Sequence, residues 1–98
     1  MAEFLIELYL SRGDSDAVER NAERARLAAR ELTREGTPVR YLRSIFVPED
    51  ETCLVLLQAD AAEAAGEAAR RAGLQFERLA EAVAADELPI STIREEQS

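Results

Sequence analysis

Phe76-Glu77-Arg78-Leu79-Ala80-Glu81-Ala82-Val83 is the stretch whose reading decides the fold. By local propensity these eight residues suit a helix, since Leu, Ala, Glu and Arg all favour one. As a strand, they would supply the last piece of a β-α-β-β-α-β order, and such an order closes a sheet in the split-βαβ manner. The choice therefore rests on the elements that precede the stretch.

The chain begins with Phe4-Leu5-Ile6-Glu7-Leu8-Tyr9-Leu10, which alternates like a strand. Phe4, Ile6, Leu8 and Leu10 fall on one face, and Leu5, Glu7 and Tyr9 on the other. A turn over Ser11 to Asp16 ends in helix N-cap candidates. From Ala17 to Glu35 the period changes, because Val18, Ala22, Ala25, Ala29 and Leu32 recur at the spacing of one helical stripe. Gly36 is the expected stop, and Pro38 blocks continuation. Val39 to Val47 and Thr52 to Leu57 read as two strands joined by a Pro48-Glu49-Asp50 turn. The second of these, Thr52-Cys53-Leu54-Val55-Leu56-Leu57, is apolar on both faces. A central strand covered on both sides looks like this, so the run hints at a partner or a pocket on the face away from the helices. Asp60-Ala61-Ala62-Glu63 resembles a capping box opening a second helix, with Ala61, Ala65, Ala68 and Ala72 as its buried stripe and Gly73 as its stop.

With two strand–helix units in place, Phe76 to Val83 is assigned as the fourth strand. The expected fold is an α+β, ferredoxin-like βαββαβ sandwich over residues 1–83, a four-stranded antiparallel sheet with two helices on one face. Residues 84–98 form a tail, either disordered or laid on a partner subunit through Leu88-Pro89-Ile90 and Ile93. Alanine-rich helix stripes bury little area per residue, which makes a monomer marginal and a homodimer expected.

The 98 residues carry 20 Asp and Glu against 12 Arg and no Lys, a net charge of −8. This balance argues against nucleic acid and against an anionic membrane, both of which need a positive patch. The apolar run from Phe4 to Leu10, broken by Glu7, is too short for a signal peptide or a membrane span, so the expected address is the cytoplasm. A single cysteine, Cys53, allows no intramolecular disulfide.

Arg40-Tyr41-Leu42-Arg43-Ser44-Ile45-Phe46-Val47-Pro48-Glu49-Asp50-Glu51, followed by Phe76 to Val83, resembles a bacterial family of small nickel-binding proteins, long catalogued as a domain of unknown function. The strand bearing Glu7 and the Gly36-Thr37-Pro38 approach fit that pattern as well. The resemblance implies the same ferredoxin-like fold, dimerisation through the sheet, and a link to nickel in metal homeostasis or stress response. The family pattern has a histidine after the first-strand glutamate, where this chain has Leu8.

The residues themselves give candidates for two kinds of site. For a metal, Glu7, Cys53 and Glu81 are the donors, although nickel prefers imidazole and thiolate to carboxylate, and Cys53 is the only soft ligand. For a small molecule, Glu7, Tyr9, Tyr41 and Arg43 are the candidate pocket residues, with Arg43 either orienting an anion or pairing with Glu7. A lone carboxylate beneath a partner subunit would be costly, so Glu7 is expected to be paired, coordinated or protonated. The alternative is a cofactor-free enzyme of the dimeric α/β-barrel type, a monooxygenase, cyclase or isomerase, with Glu7 as base and Tyr41 and Arg43 orienting the substrate. No Ser/His/Asp set, phosphate loop or HExxH motif is present.

Overall fold

The computed structural model of the chain describes residues 1–85. The elements run β1 (Ala2–Tyr9), α1 (Asp16–Arg34), β2 (Val39–Val47), a 3₁₀ turn (Pro48–Asp50), β3 (Thr52–Ala59), α2 (Ala62–Arg71) and β4 (Phe76–Ala82). The sheet order is β2-β3-β1-β4, with every neighbouring pair antiparallel. This is the expected α+β ferredoxin-like arrangement. The expected tail contacts of Leu88-Pro89-Ile90 and Ile93 lie outside the described residues. Among the described residues no helix is long and apolar enough to cross a membrane.

Phe76–Ala82 is a strand despite its helix propensity. The order leaves one edge of β1 open, and β4 fills it, pairing Leu79 with Ile6 and Phe76 with Leu8. Phe76 and Leu79 both pack against the core. Tertiary pairing thus overrides a propensity difference of a few tenths of a kcal/mol per residue.

The core lies between the sheet and the two helices. Phe4, Ile6 and Leu8 of β1, and Cys53, Val55 and Leu57 of β3, point into it. Opposite them α1 offers Ala17, Ala22, Ala25, Ala28, Ala29 and Leu32, and α2 offers Ala65, Ala68 and Ala69. The large side chains come almost entirely from the sheet, and the helices supply methyl groups that let them approach closely.

Both helices stop in the same way. Gly36 (φ 101) and Gly73 (φ 75) take the left-handed conformation that costs a glycine nothing. The next residue then donates back into the last turn, Thr37 N to Leu32 O at 2.8 Å and Leu74 N to Ala69 O at 3.0 Å. The helix starts differ from expectation. Ala61 is still extended (φ −150, ψ 155) and is itself the N-cap of α2, with no side-chain cap. Asp60 therefore lies one residue too early to cap, and the Asp60/Glu63 box does not form. Ala61 is exposed rather than part of the buried stripe.

Across the back of the helices Arg71 holds Glu31 and Glu35 of α1 (2.8 and 2.9 Å) as well as Glu67 of its own helix (3.0 Å). Its hydrogen bonds hold the Glu35 and Glu67 carboxyls below the ordinary carboxylate range. Their stabilising share is present above the unfolded carboxylate pKa and is lost as pH falls through the lowered folded values.

Candidate functional site

Among the described residues the helices lie on one face of the sheet, and no element lies on the other, here called the open face. Strand alternation and register place Leu5, Glu7 and Tyr9 of β1 on the open face, with Leu54 and Leu56 of β3 beside them. On the same face, Arg43 and Ile45 of β2 lie opposite Leu56 and Leu54, and Arg78 of β4 lies opposite Glu7. Leu5 and Leu54 are half-buried, and Ile45 and Val47 are exposed at 43% and 36%. An apolar stripe thus runs along the middle of the open face, flanked by charges of both signs.

Glu7 points away from Phe4, Ile6 and Leu8, as its alternation predicts. Its partner is Arg78 (Oε1–Nη1, 3.8 Å), not Arg43. The strand order explains the difference, since β3 separates β1 from β2 and Arg43 stands two strands away from Glu7, roughly 9–10 Å at ordinary strand spacing. The Glu7–Arg78 pair is open to solvent on both sides and adds little stability by itself.

The remaining candidates are dispersed. Tyr9, 60% exposed, ends β1, and its hydroxyl donates to Glu51 at 3.5 Å. Tyr41 pairs in register with the buried Leu57, so it faces the helices, opposite to Glu7 and Arg43. A bulge between Tyr41 and Arg43 then returns Arg43 to the open face. The proposed trio of Glu7, Tyr41 and Arg43 is therefore split between two faces, and among the described residues Glu7 lines none of three clefts, those beside Tyr41, Arg71 and Leu74.

The metal donors do not converge either. Cys53 lies opposite Leu8, fully buried between sheet and helices, while Glu7 is on the other face. Glu81 is exposed on edge strand β4, in register with Phe4 rather than Glu7. Among the described residues no three carboxylate, thiol or imidazole side chains group around a common point. Within one protomer this donor set does not fit nickel, which needs its soft and hard ligands around one centre.

Burial pushes the Cys53 thiol above its usual pKa. The folded state favours the neutral thiol, so the stability that Cys53 contributes is complete below the unfolded thiol value of about 8.5 and is lost as pH rises toward the folded one. Native protein is expected to resist iodoacetamide at pH 8 and to react fully once unfolded in urea. Against Cys53→Ala, the wild type should lose extra stability as pH rises above about 8.5 in paired denaturant melts. Rapid alkylation of the native thiol would place Cys53 at the surface and refute this account.

Sequence reasoning misses a cleft of about 650 Å³ between α1 and edge strand β2. Arg26, Arg30 and Arg34 line one side, and Val39, Arg40, Tyr41 and Leu42 the other. The Arg26 guanidinium lies 4.8 Å from the centre of the Tyr41 ring and is held by Glu19 (3.3 Å) and Glu23 (3.0 Å). The Tyr41 hydroxyl meets Ser44 Oγ at 2.8 Å. Thr33 Oγ1 donates to the Val39 carbonyl (3.0 Å) and accepts from the Val39 amide (3.1 Å), clipping the end of α1 to the start of β2. The signal in the sequence is the four-residue recurrence of arginine on α1.

No family model matches the chain, and no curated protein does either. Its fold is similar to the crystal structure of SCO4226 from Streptomyces coelicolor A3(2), with a TM-score of 0.66 at 22% identity, covering 86% of this chain and 99% of that one. At this identity the likeness is one of fold.

Proposed function

We propose that the protein is a small-ligand-binding protein whose working unit is a homodimer, closed face to face through the open side of its sheet. The observation that carries the dimer is the stripe of Leu5, Leu54, Leu56 and Ile45 on the face without helices. A sheet of this kind normally carries polar residues on its uncovered side, and this one carries Leu5 and Leu54, half-buried, around a buried Leu56, with Ile45 exposed beside them. The occupant is a second copy because the face complements itself in charge. Glu3 and Glu7 lie on β1, Arg43 on β2 and Arg78 on β4, so a two-fold contact can set acid against base around an apolar centre. The thin alanine layer under the helices supports the same reading, since large aliphatic side chains on the open face add the burial that the core lacks.

Binding rather than turnover is favoured because the titratable candidates, Glu7, Cys53 and Tyr41, do not share one cavity. A reaction would need an acid or base placed against a bound substrate. Nickel is not the ligand in this reading, because its candidate donors stand on opposite sides of the sheet. Sedimentation equilibrium of the full chain should give twice the 10.9 kDa chain mass at micromolar concentration. A mass of one chain across the micromolar range would sink the proposal.

A further inference from the structure

We infer that the cleft between α1 and β2 is a binding site for a small organic anion, a phosphate monoester or carboxylate with an aromatic or aliphatic body. The inference deepens the ligand-binding reading above and rests on it only for the statement that a small molecule is bound. The cleft is on the helix side of the β2 edge and does not depend on the dimer.

Charge is the first argument. The chain carries −8 overall, yet Arg26, Arg30, Arg34 and Arg40 gather around one cleft. Like charges four residues apart destabilise a helix, and α1 keeps two such steps in succession. Elsewhere among the described residues most arginines are neutralised in ion pairs, namely Arg12, Arg20, Arg70, Arg71 and Arg78. In the cleft only Arg26 is. Among the described residues Arg30, Arg34 and Arg40 have no carboxylate within ion-pair distance. The negative end of the helix dipole accounts for Arg34 in the last turn of α1, but not for Arg30 and Arg26 further up.

Hydrogen-bonding capacity gives the second argument. Thr33 and Tyr41 are engaged with Val39 and Ser44, so the charged side-chain groups left for a ligand are guanidinium N–H donors. Guanidinium has five donors and no acceptor, and its fork matches a carboxylate or phosphate two oxygens at a time. Such a site rewards a ligand rich in acceptors and poor in donors. The third argument is shape. Ala29, Val39, Leu42 and the Tyr41 ring, fixed by Ser44 and Arg26, form an apolar floor, and about 650 Å³ admits a small organic molecule with room for more than a bare inorganic ion.

The test is titration calorimetry of the full chain with phenyl phosphate and with phthalate, using phenol as the neutral comparator. One phenyl phosphate or phthalate per chain is expected. Arg30→Gln and Arg34→Gln should each weaken binding about tenfold and the double variant should abolish it. Added sodium chloride should weaken it further. Backbone amide resonances of Thr33, Val39 and Leu42 should shift on titration. Both arginines are exposed, so the variants should fold. Without probe Arg30→Gln should melt at or above the wild-type temperature, since a repulsion has been removed, while Arg34→Gln also gives up its place at the helix C-terminus and should melt close to wild type. Phenol binding as tightly as phenyl phosphate would overturn the anion class and leave the ligand-binding reading standing. Failure of all three probes to bind would remove both readings, with the dimer judged separately by mass. Anion binding that survives the double variant would move the site elsewhere and overturn the inference.

Discussion

Replacing Ile6 by alanine is expected to cost about 2–5 kcal/mol, toward the upper end of that range. Ile6 is fully buried at the middle of β1, between Val55 on one neighbouring strand and Leu79 on the other. The cost of such a truncation depends on how far the surroundings can collapse into the space. Here collapse is poor. The helices above the sheet present Ala25, Ala28, Ala29, Ala65 and Ala68, whose methyl groups cannot extend, and their backbones already sit close to the strands. A domain of this size has a total stability on the order of 5–15 kcal/mol, so the substitution removes a large share of it. Urea unfolding followed by circular dichroism at fixed protein concentration measures the loss, because dimerisation makes apparent stability depend on concentration. Leu27→Ala, at an exposed position on α1, is the reference and should stay within about 0.5 kcal/mol of wild type. If Ile6→Ala cost under about 1 kcal/mol, the core would not be packed as described.

What could be read from the sequence was local. The alternation of Phe4, Ile6, Leu8 and Leu10, the stripe on α1 and the stops at Gly36 and Gly73 depend on residues a few positions apart, and all appear in the structure. The fourth strand was legible only through the order of the others, since its own propensity points to helix. What could not be read depends on which strands become neighbours and in what register. Alternation puts Glu7 away from Ile6, but whether Cys53 shares a face with Ile6 or with Glu7 is fixed by the pairing of Leu8 with Cys53, a contact between distant parts of the chain. The partner of Glu7 was likewise set by β4 lying beside β1. Tyr41 pairs with Leu57 on the helix side, and the bulge after it turns Arg43 to the other face, against the expectation that both join Glu7. The arginine cleft belongs to the same class, because helical spacing groups Arg26, Arg30 and Arg34 but only the packing of α1 on β2 gives them an opposite wall.

Leu54→Asp is expected to convert the dimer to a folded monomer, and it discriminates best between a working sheet face and an idle one. Leu54 sits at the centre of the open face, with Glu7 of β1 and Ile45 of β2 as its register partners. In an isolated protomer the position is only half-buried, so the new carboxylate reaches water and the cost to folding is about 1 kcal/mol, mostly from lower strand preference and repulsion by Glu7. In a face-to-face dimer the same carboxylate is buried without a cation of its own, and the two-fold axis brings its copy into the same interface. A buried unpaired charge costs about 3–5 kcal/mol, which raises the dissociation constant by at least about a hundredfold. Sedimentation equilibrium reads the mass while circular dichroism confirms that the fold persists. Leu27→Asp, on the helix side and exposed, places the same charge outside the interface and should leave the mass unchanged. A dimer that tolerates Leu54→Asp but dissociates with Leu27→Asp would move the contact to the helices and leave the leucines of the open face without a partner.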